Sequence, residues 1–309
     1  MPGYSPLHTL FDTTRLWVLP DGAKALVRLT ASRMPLVAPF RESLSARRTA
    51  RRFARLPTAV CDVANLRSVP LGSLLGDIHE RASGAEWARA TGELDALQIP
   101  TTAGGVNPGD RRAIYGLVRA LRPSRVLEIG THIGASTVYI AAALRASGDA
   151  GEFTTVDISS VNDETQRPWA VAGSRYSPAD MMVRIGMSSR VRFITQPSLS
   201  FLHETDIRYD LIFLDGDHGA ATVYEELPAA LRKLAPGGLV LLHDYYPGGA
   251  PLWSNDVVFT GPWRALERLR AEGARLHVEP LGELPWPTKL GTNVTSLAIV
   301  MRTDRSVKS

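Results

Sequence analysis

Three short stretches bring together residue types that do chemistry. In Asp210-Leu211-Ile212-Phe213-Leu214-Asp215-Gly216-Asp217-His218, an apolar run ends and three polar side chains follow within four positions. Leu241-Leu242-His243-Asp244-Tyr245 ends the same way. Carboxylates that converge need protons, hydrogen-bond donors or a cation between them. A hard divalent cation such as magnesium suits oxygen ligands, and an imidazole is a competent general base near pH 7. The third stretch, Val126-Leu127-Glu128-Ile129-Gly130-Thr131-His132-Ile133-Gly134, is an apolar run that enters a G-x-x-x-G loop.

These residues need a frame that gathers them. From residue 110 onward, apolar runs of strand length alternate with helical patterns. Asp110 is read as the cap of a helix whose apolar stripe is Ile114, Leu117, Val118 and Leu121, with Pro123 ending it. Strands are expected at Arg125–Ile129, Phe153–Asp157, Val191–Ile194, Tyr209–Leu214 and Gly238–His243, then at Arg275–Pro280 and Thr295–Arg302. Helices are expected at Ala135–Arg145, Pro178–Gly186, Leu199–His203, Ala220–Leu234 and Trp263–Ala271. The strands are short, β-branched and apolar, as strands covered on both faces are. Alternating strands and helices imply right-handed crossovers and a parallel sheet. The expected fold is therefore α/β, Rossmann-like: a seven-stranded, mostly parallel sheet with an antiparallel last strand and helices on both faces. Asp215 and Asp244 then meet at one rim of it.

In an open sheet of this kind, ligands sit beyond the carboxyl ends of the strands. Gly130 and Gly134 lie at such an end, where glycine admits positive φ and close approach of backbone to ligand. Ala135-Ser136-Thr137 opens a helix whose first amides favour a carboxylate. Asp157 ends the second strand and can accept from ribose hydroxyls. A nicotinamide dinucleotide would also use that acid, but its loop favours G-x-G-x-x-G, and here position 132 is histidine. Glu128 sits poorly beside a pyrophosphate and can receive an ammonium, which favours S-adenosylmethionine.

On these residues, positions from about 100 to 302 resemble the Rossmann-like (class I) S-adenosylmethionine-dependent methyltransferases, and among them the catechol O-methyltransferase-like group. The resemblance implies cofactor contacts at Glu128, Gly130, Thr131, Gly134, Ser136, Asp157, Ser198 and Asp215. It implies a magnesium site in which Asp215 and Asp244 match two acids. Tyr245 stands where that group has asparagine, which makes His243 the candidate third ligand. It implies a base at position 218, where the group has lysine and this chain has His218. The mechanism expected is attack of an acceptor oxygen on the cofactor methyl, with His218 and Asp215 catalytic. The plainer alternatives are a His243–Asp244 pair that only lines a pocket, and His218 as a helix-start or adenine-side contact.

Composition narrows the classes further. The chain has 309 residues, enough for one large domain or a domain with an extension. Pro100 to Gly109 is rich in turn formers, which places an N-terminal extension, mainly helical, at residues 1–100 and the catalytic domain at 101–309. Ser73–Leu97 reads as helix interrupted by Gly84 and Gly92. No apolar stretch reaches the roughly 20 residues of a bilayer span, and no signal-peptide pattern opens the chain, so a cytoplasmic location is expected. Cys61 is the only cysteine, which excludes an internal disulfide or a cysteine-rich zinc site. Residues 1–60 carry ten basic against three acidic residues, with a run from Arg47 to Arg55. That run is read as a solvated helix face or a subunit contact of a homodimer rather than a nucleic-acid surface. The loops Ser159–Ser177 (with Trp169 and Tyr176) and Tyr245–Pro262 (with Tyr246, Trp253 and Phe259) are placed to cover a small-molecule acceptor. An NAD-linked oxidoreductase and a non-catalytic binding protein are the competing readings.

Overall fold

The computed structural model describes residues 49–68, 73–101, 105–148 and 151–303. The rest of the expected N-terminal extension, including Arg47 and Arg48, lies outside the described residues. The strands are β1 (Arg125–Ile129), β2 (Glu152–Asp157), β3 (Val191–Thr195), β4 (Tyr209–Leu214), β5 (Leu234–Leu242), β6 (Leu276–Pro280) and β7 (Ala298–Arg302). They form one sheet in the order β3-β2-β1-β4-β5-β7-β6. β1 to β5 pair in parallel, and β7 runs antiparallel between β5 and β6. The strand order reverses between β1 and β4, and the cleft at such a switch is where open α/β sheets bind ligands.

Side-chain parity builds the two faces. Leu211, Phe213, Leu239 and Leu241 join one hydrophobic cluster; Ile212, Leu214, Val240 and Leu242 join the other. A one-residue slip of either strand would swap its whole apolar set between faces, so the register is strongly held. On the first face pack α1 (Leu74–Arg81), α2 (Ala85–Asp95), α3 (Pro108–Leu121), α4 (Ala135–Ala146) and α6 (Pro178–Arg184), with the short α5 (Pro168–Val171) in the connection before α6. On the second pack α7 (Ser198–Glu204), α8 (Ala220–Leu231) and α9 (Gly261–Ala271). Residues 49–55 are helical and join the second face through Phe53. Arg268 donates to the carbonyls of Phe53 and Leu56, and Arg52 pairs with Glu225 at 2.6 Å.

The elements follow the sequence pattern, with local differences. The cap of α3 is Asn107, whose side chain accepts from the Asp110 amide; Asp110 is freed for another task. Gly84 breaks the helical stretch into α1 and α2, but Gly92 stays inside α2. Leu234 belongs to β5 and not to the helix before it, because it pairs with Tyr209 across the sheet. No helix among the described residues is long and apolar enough to cross a membrane.

Candidate active site

Register decides what meets at the switch. Ile129 pairs with Leu214, and Leu214 with Leu242, so the next residues in line are Gly130, Asp215 and His243. His243, not Asp244, stands beside Asp215: His243 Nδ1 lies 2.7 Å from Asp215 Oδ1. Asp244 follows in a left-handed turn at φ 52°. Its Oδ2 lies 3.3 Å from His218 Nε2, and its Oδ1 accepts from the Ser296 hydroxyl at 3.3 Å. His218 Nε2 is 3.9 Å from Asp215 Oδ1. The structure therefore gathers all four expected residues, with His243 at the centre.

Burial sharpens the electrostatics. His243 lies deep in the protein, which by itself would lower its pKa. The carboxylates of Asp215 and Asp244 and contact with Asp110 overcome that and raise it well above the usual imidazole range. Burial would likewise raise Asp244, but the charges of His243, His218 and Lys289 hold it below its ordinary value. In the sequence Asp110 is read only as a helix cap, and Lys289 is not read at all. Asp110 is fully buried on the first turn of α3, with Oδ2 3.4 Å from His243 Nε2. Its signal was Asn107, three residues earlier, which already supplied a cap. Lys289 lies in the irregular segment between β6 and β7, 4.7 Å from the Trp253 ring centroid, and no pattern marks it.

Magnesium meets a donor set that it fits poorly. Among the described residues, the side chains whose donor atoms all lie within 4.8 Å of one another are Asp215, His218 and His243. That is one carboxylate and two imidazoles, where the expected set of Asp215, Asp244 and His243 held two carboxylates. Magnesium takes oxygen ligands and leaves imidazole to softer ions.

The glycine loop divides into an outer and an inner side. Gly130 has φ 101° and Gly134, which precedes α4, has φ 77°. Outside, Asp157 accepts from the amides of His132 (2.9 Å) and Ser159 (2.8 Å) and is half-buried at the strand end. Inside, the Glu128 carboxylate is fully buried and accepts from Ser136, Thr137 and Thr155, each at 2.6 Å. Thr131 meets Thr155 at 2.6 Å. These hydrogen bonds join the Glu128, Thr131 and Ser136 side chains, expected at the cofactor, and tie the start of α4 to β1 and β2. Burial pushes Glu128 up to about 7, against the pull of its three hydroxyl donors.

Ser198 opens α7, and its hydroxyl donates to Glu226 of α8. Burial pushes Glu226 up to about 8. The folded state thus keeps that proton to about pH 8, while the unfolded chain releases it near the ordinary carboxyl value. The contribution to stability is fully present below that ordinary value and is lost as pH rises towards 8. Glu226→Gln, which cannot ionise and still accepts from Ser198, should be more stable than the parent by on the order of a few kcal/mol near pH 9 and no more stable near pH 4. Denaturant unfolding at the two pH values checks this; an equal difference at both would count against it.

The two covering loops differ. In the first, Trp169 is buried. In the other, Phe259 lies 5.4 Å from the His218 ring, Tyr246 lies 6.1 Å from Phe259, and Trp253 lies 5.8 Å from Tyr246. An aromatic wall therefore runs from the base candidate towards Lys289.

A family model described as a methyltransferase domain matches residues 127–245. A protein of Mycobacterium sp. (strain JLS) bearing an O-methyltransferase name is 32% identical over 186 residues, covering 59% of this chain and 77% of that protein. The catechol O-methyltransferase of Mycobacterium tuberculosis is 27% identical over 216 residues, covering 70% of this chain and 82% of that protein. Among solved structures, an O-methyltransferase from Bacillus cereus in complex with SAH superposes with a TM-score of 0.48 at 21% identity, covering 76% of this chain and 92% of that one.

Proposed function

The chain belongs to the class I S-adenosylmethionine-dependent O-methyltransferases, and from that premise we propose that it methylates a hydroxyl of a small-molecule acceptor, with His218 as general base. The observation that carries the proposal is the gathering of His218, Asp215, His243 and Asp244 beside Gly130, at the switch in strand order. S-adenosylmethionine supplies a methyl group on a cationic sulfur that leaves as a thioether. Asp157 is the residue to hold its ribose, and the backbone from Gly130 to Gly134 is the surface to receive its methionine end. The Glu128 network keeps that backbone in place.

The protein's own part in the reaction is positioning and proton removal. His218 takes the acceptor's proton, and the imidazolium so formed sits against Asp244 and Asp215, whose charge stabilises it. Phe259 and the wall behind it keep water from the attacking oxygen, which strengthens those interactions. No step is assigned to magnesium, given the donor set. The wall of Tyr246, Trp253 and Phe259 favours a planar acceptor.

Calorimetry with S-adenosylmethionine and with its demethylated product is the first test. One molecule of each should bind per chain, and labelled methyl should pass to one or more members of a panel of aromatic and sugar hydroxyl compounds. A chain that binds neither form would sink the proposal. Cofactor binding with an undiminished biological role in His218→Ala would favour the non-catalytic reading.

A further inference from the structure

We propose that Lys289 selects the acceptor: the molecule methylated carries a carboxylate, which pairs with the Lys289 ammonium while its hydroxyl is presented to His218. The reacting end rests on the hydroxyl-methylation reading; the carboxylate site stands on geometry.

The sequence builds a rigid mount for this lysine. In Thr288-Lys289-Leu290-Gly291-Thr292 the chain turns back on itself between β6 and β7. The Thr288 amide donates to the Thr292 carbonyl at 2.9 Å, and the Thr292 amide to the Lys289 carbonyl at 3.1 Å. Leu290 and Gly291 have φ of 51° and 72°, the signs that a type I′ turn requires. Asparagine and glycine enter that region readily and leucine does not, so the surroundings hold the turn. Its foot is fixed on α3. Trp286 Nε1 donates to the Gly109 carbonyl at 2.9 Å, and a Cβ on Gly109 would lie 2.6 Å from the Thr288 Cα. Asp110, the next residue of α3, faces His243. One turn of helix thus supports both the histidine cluster and the lysine.

The ammonium has a ring to lie on and no anion to pair with. Lys289 Nζ stands 4.7 Å from the Trp253 ring centroid, a cation–π distance. Among the described residues no carboxylate forms an ion pair with it. Its charge reaches Asp244, but the Asp244 oxygens face His218, His243 and Ser296. Two more donors along the wall have no hydrogen-bond partner among the described residues: Trp253 Nε1 and the Tyr246 hydroxyl, in side chains 5% and 0% exposed. A buried donor left without an acceptor is costly. An ammonium, an indole N–H and a phenol O–H together call for a group that only accepts, which an ionised carboxylate is. Its single charge matches the single ammonium of the wall.

Charge also sets the orientation. Asp215 and Asp244 repel a carboxylate from the His218 end, and Lys289 draws it to the other. Phe259, Tyr246 and Trp253 carry the planar body between the two. An acceptor held in this way keeps its hydroxyl towards the base.

The probes are 3,4-dihydroxybenzoate and 3,4-dihydroxycinnamate, each beside its methyl ester, titrated by calorimetry into the tag-free full chain with the demethylated cofactor present. The parent should bind at least one acid about 10- to 100-fold more tightly than its ester, the worth of a hydrogen bond to a charged group. Lys289→Met should shrink that preference to about twofold or less, and Lys289→Arg should keep most of it. In labelled-methyl transfer, Lys289→Met should raise KM for the acid and change kcat little. Affinity for the demethylated cofactor equal to the parent's shows that the variants are folded. No binding of either acid by the parent, no preference for acid over ester, or a preference that survives in Lys289→Met would overturn the proposal. Lys289-dependent binding of an acid, with no methyl passed to any hydroxyl, would mean that the carboxylate site stands and the hydroxyl-methylation reading has failed.

Discussion

His218→Ala should lower kcat by about 10²- to 10⁴-fold and change the affinity for the demethylated cofactor by no more than a few-fold. The range is that of a lost general base. The split between the two quantities follows from position. The His218 side chain reaches the rim between Asp244 and Asp215 and lies against Phe259, on the side of the cluster where the proposed function puts the acceptor. Asp157 and the loop from Gly130 to Gly134, which should carry the cofactor, lie on the β1 and β2 side. Single-turnover transfer and calorimetry on one metal-free preparation separate the terms. Equal loss of turnover and of cofactor affinity would assign His218 to binding instead.

What the sequence made legible follows from what its patterns encode. Apolar runs of strand length ending in Asp215 and His243 fixed where two strands stop, and Gly130 and Gly134 fixed where the first gives way to a loop. Pairing across the sheet is a different kind of information. Strands buried on both faces carry little alternation, so nothing in Asp210–Leu214 or Gly238–Leu242 says which residues lie opposite. The expectation placed Asp215 with Asp244; the ladder places it with His243, one residue earlier. Glu128 shows the same limit. An acid in a buried strand announces that something must satisfy it, but Thr155, one of its three donors, comes from the neighbouring strand. Asp110 was visible as a helix-start residue and invisible as a partner of His243, because that contact joins α3 to the end of β5 across 133 positions of chain.

Gly130→Ala should cost more than about 3 kcal/mol of stability and lower affinity for the demethylated cofactor by at least about 100-fold. Two separate costs combine. A non-glycine residue in the left-handed region carries about 1–2 kcal/mol, and Gly130 sits at φ 101°. The second cost is contact: a Cβ at this position would lie 2.2 Å from the carbonyl oxygen of Asp215 and 2.9 Å from the amide of Gly216. Neither neighbour can retreat cheaply. The Asp215 amide is bonded to the Ile129 carbonyl at 2.9 Å and the Gly130 amide to Val156 at 2.8 Å, so relief on either side breaks the continuation of the sheet. Any movement of Asp215 also spoils its 2.7 Å approach to His243. Gly186 isolates the first cost: its φ is 69° and an added Cβ meets nothing within 4 Å. Gly186→Ala should therefore lose only about 1–2 kcal/mol and leave cofactor affinity unchanged. Denaturant unfolding and calorimetry on the two alanine variants make the comparison. Equal losses would mean that backbone conformation alone requires glycine at 130, and that the packing of β1 against the end of β4 does not hold the cofactor loop in place.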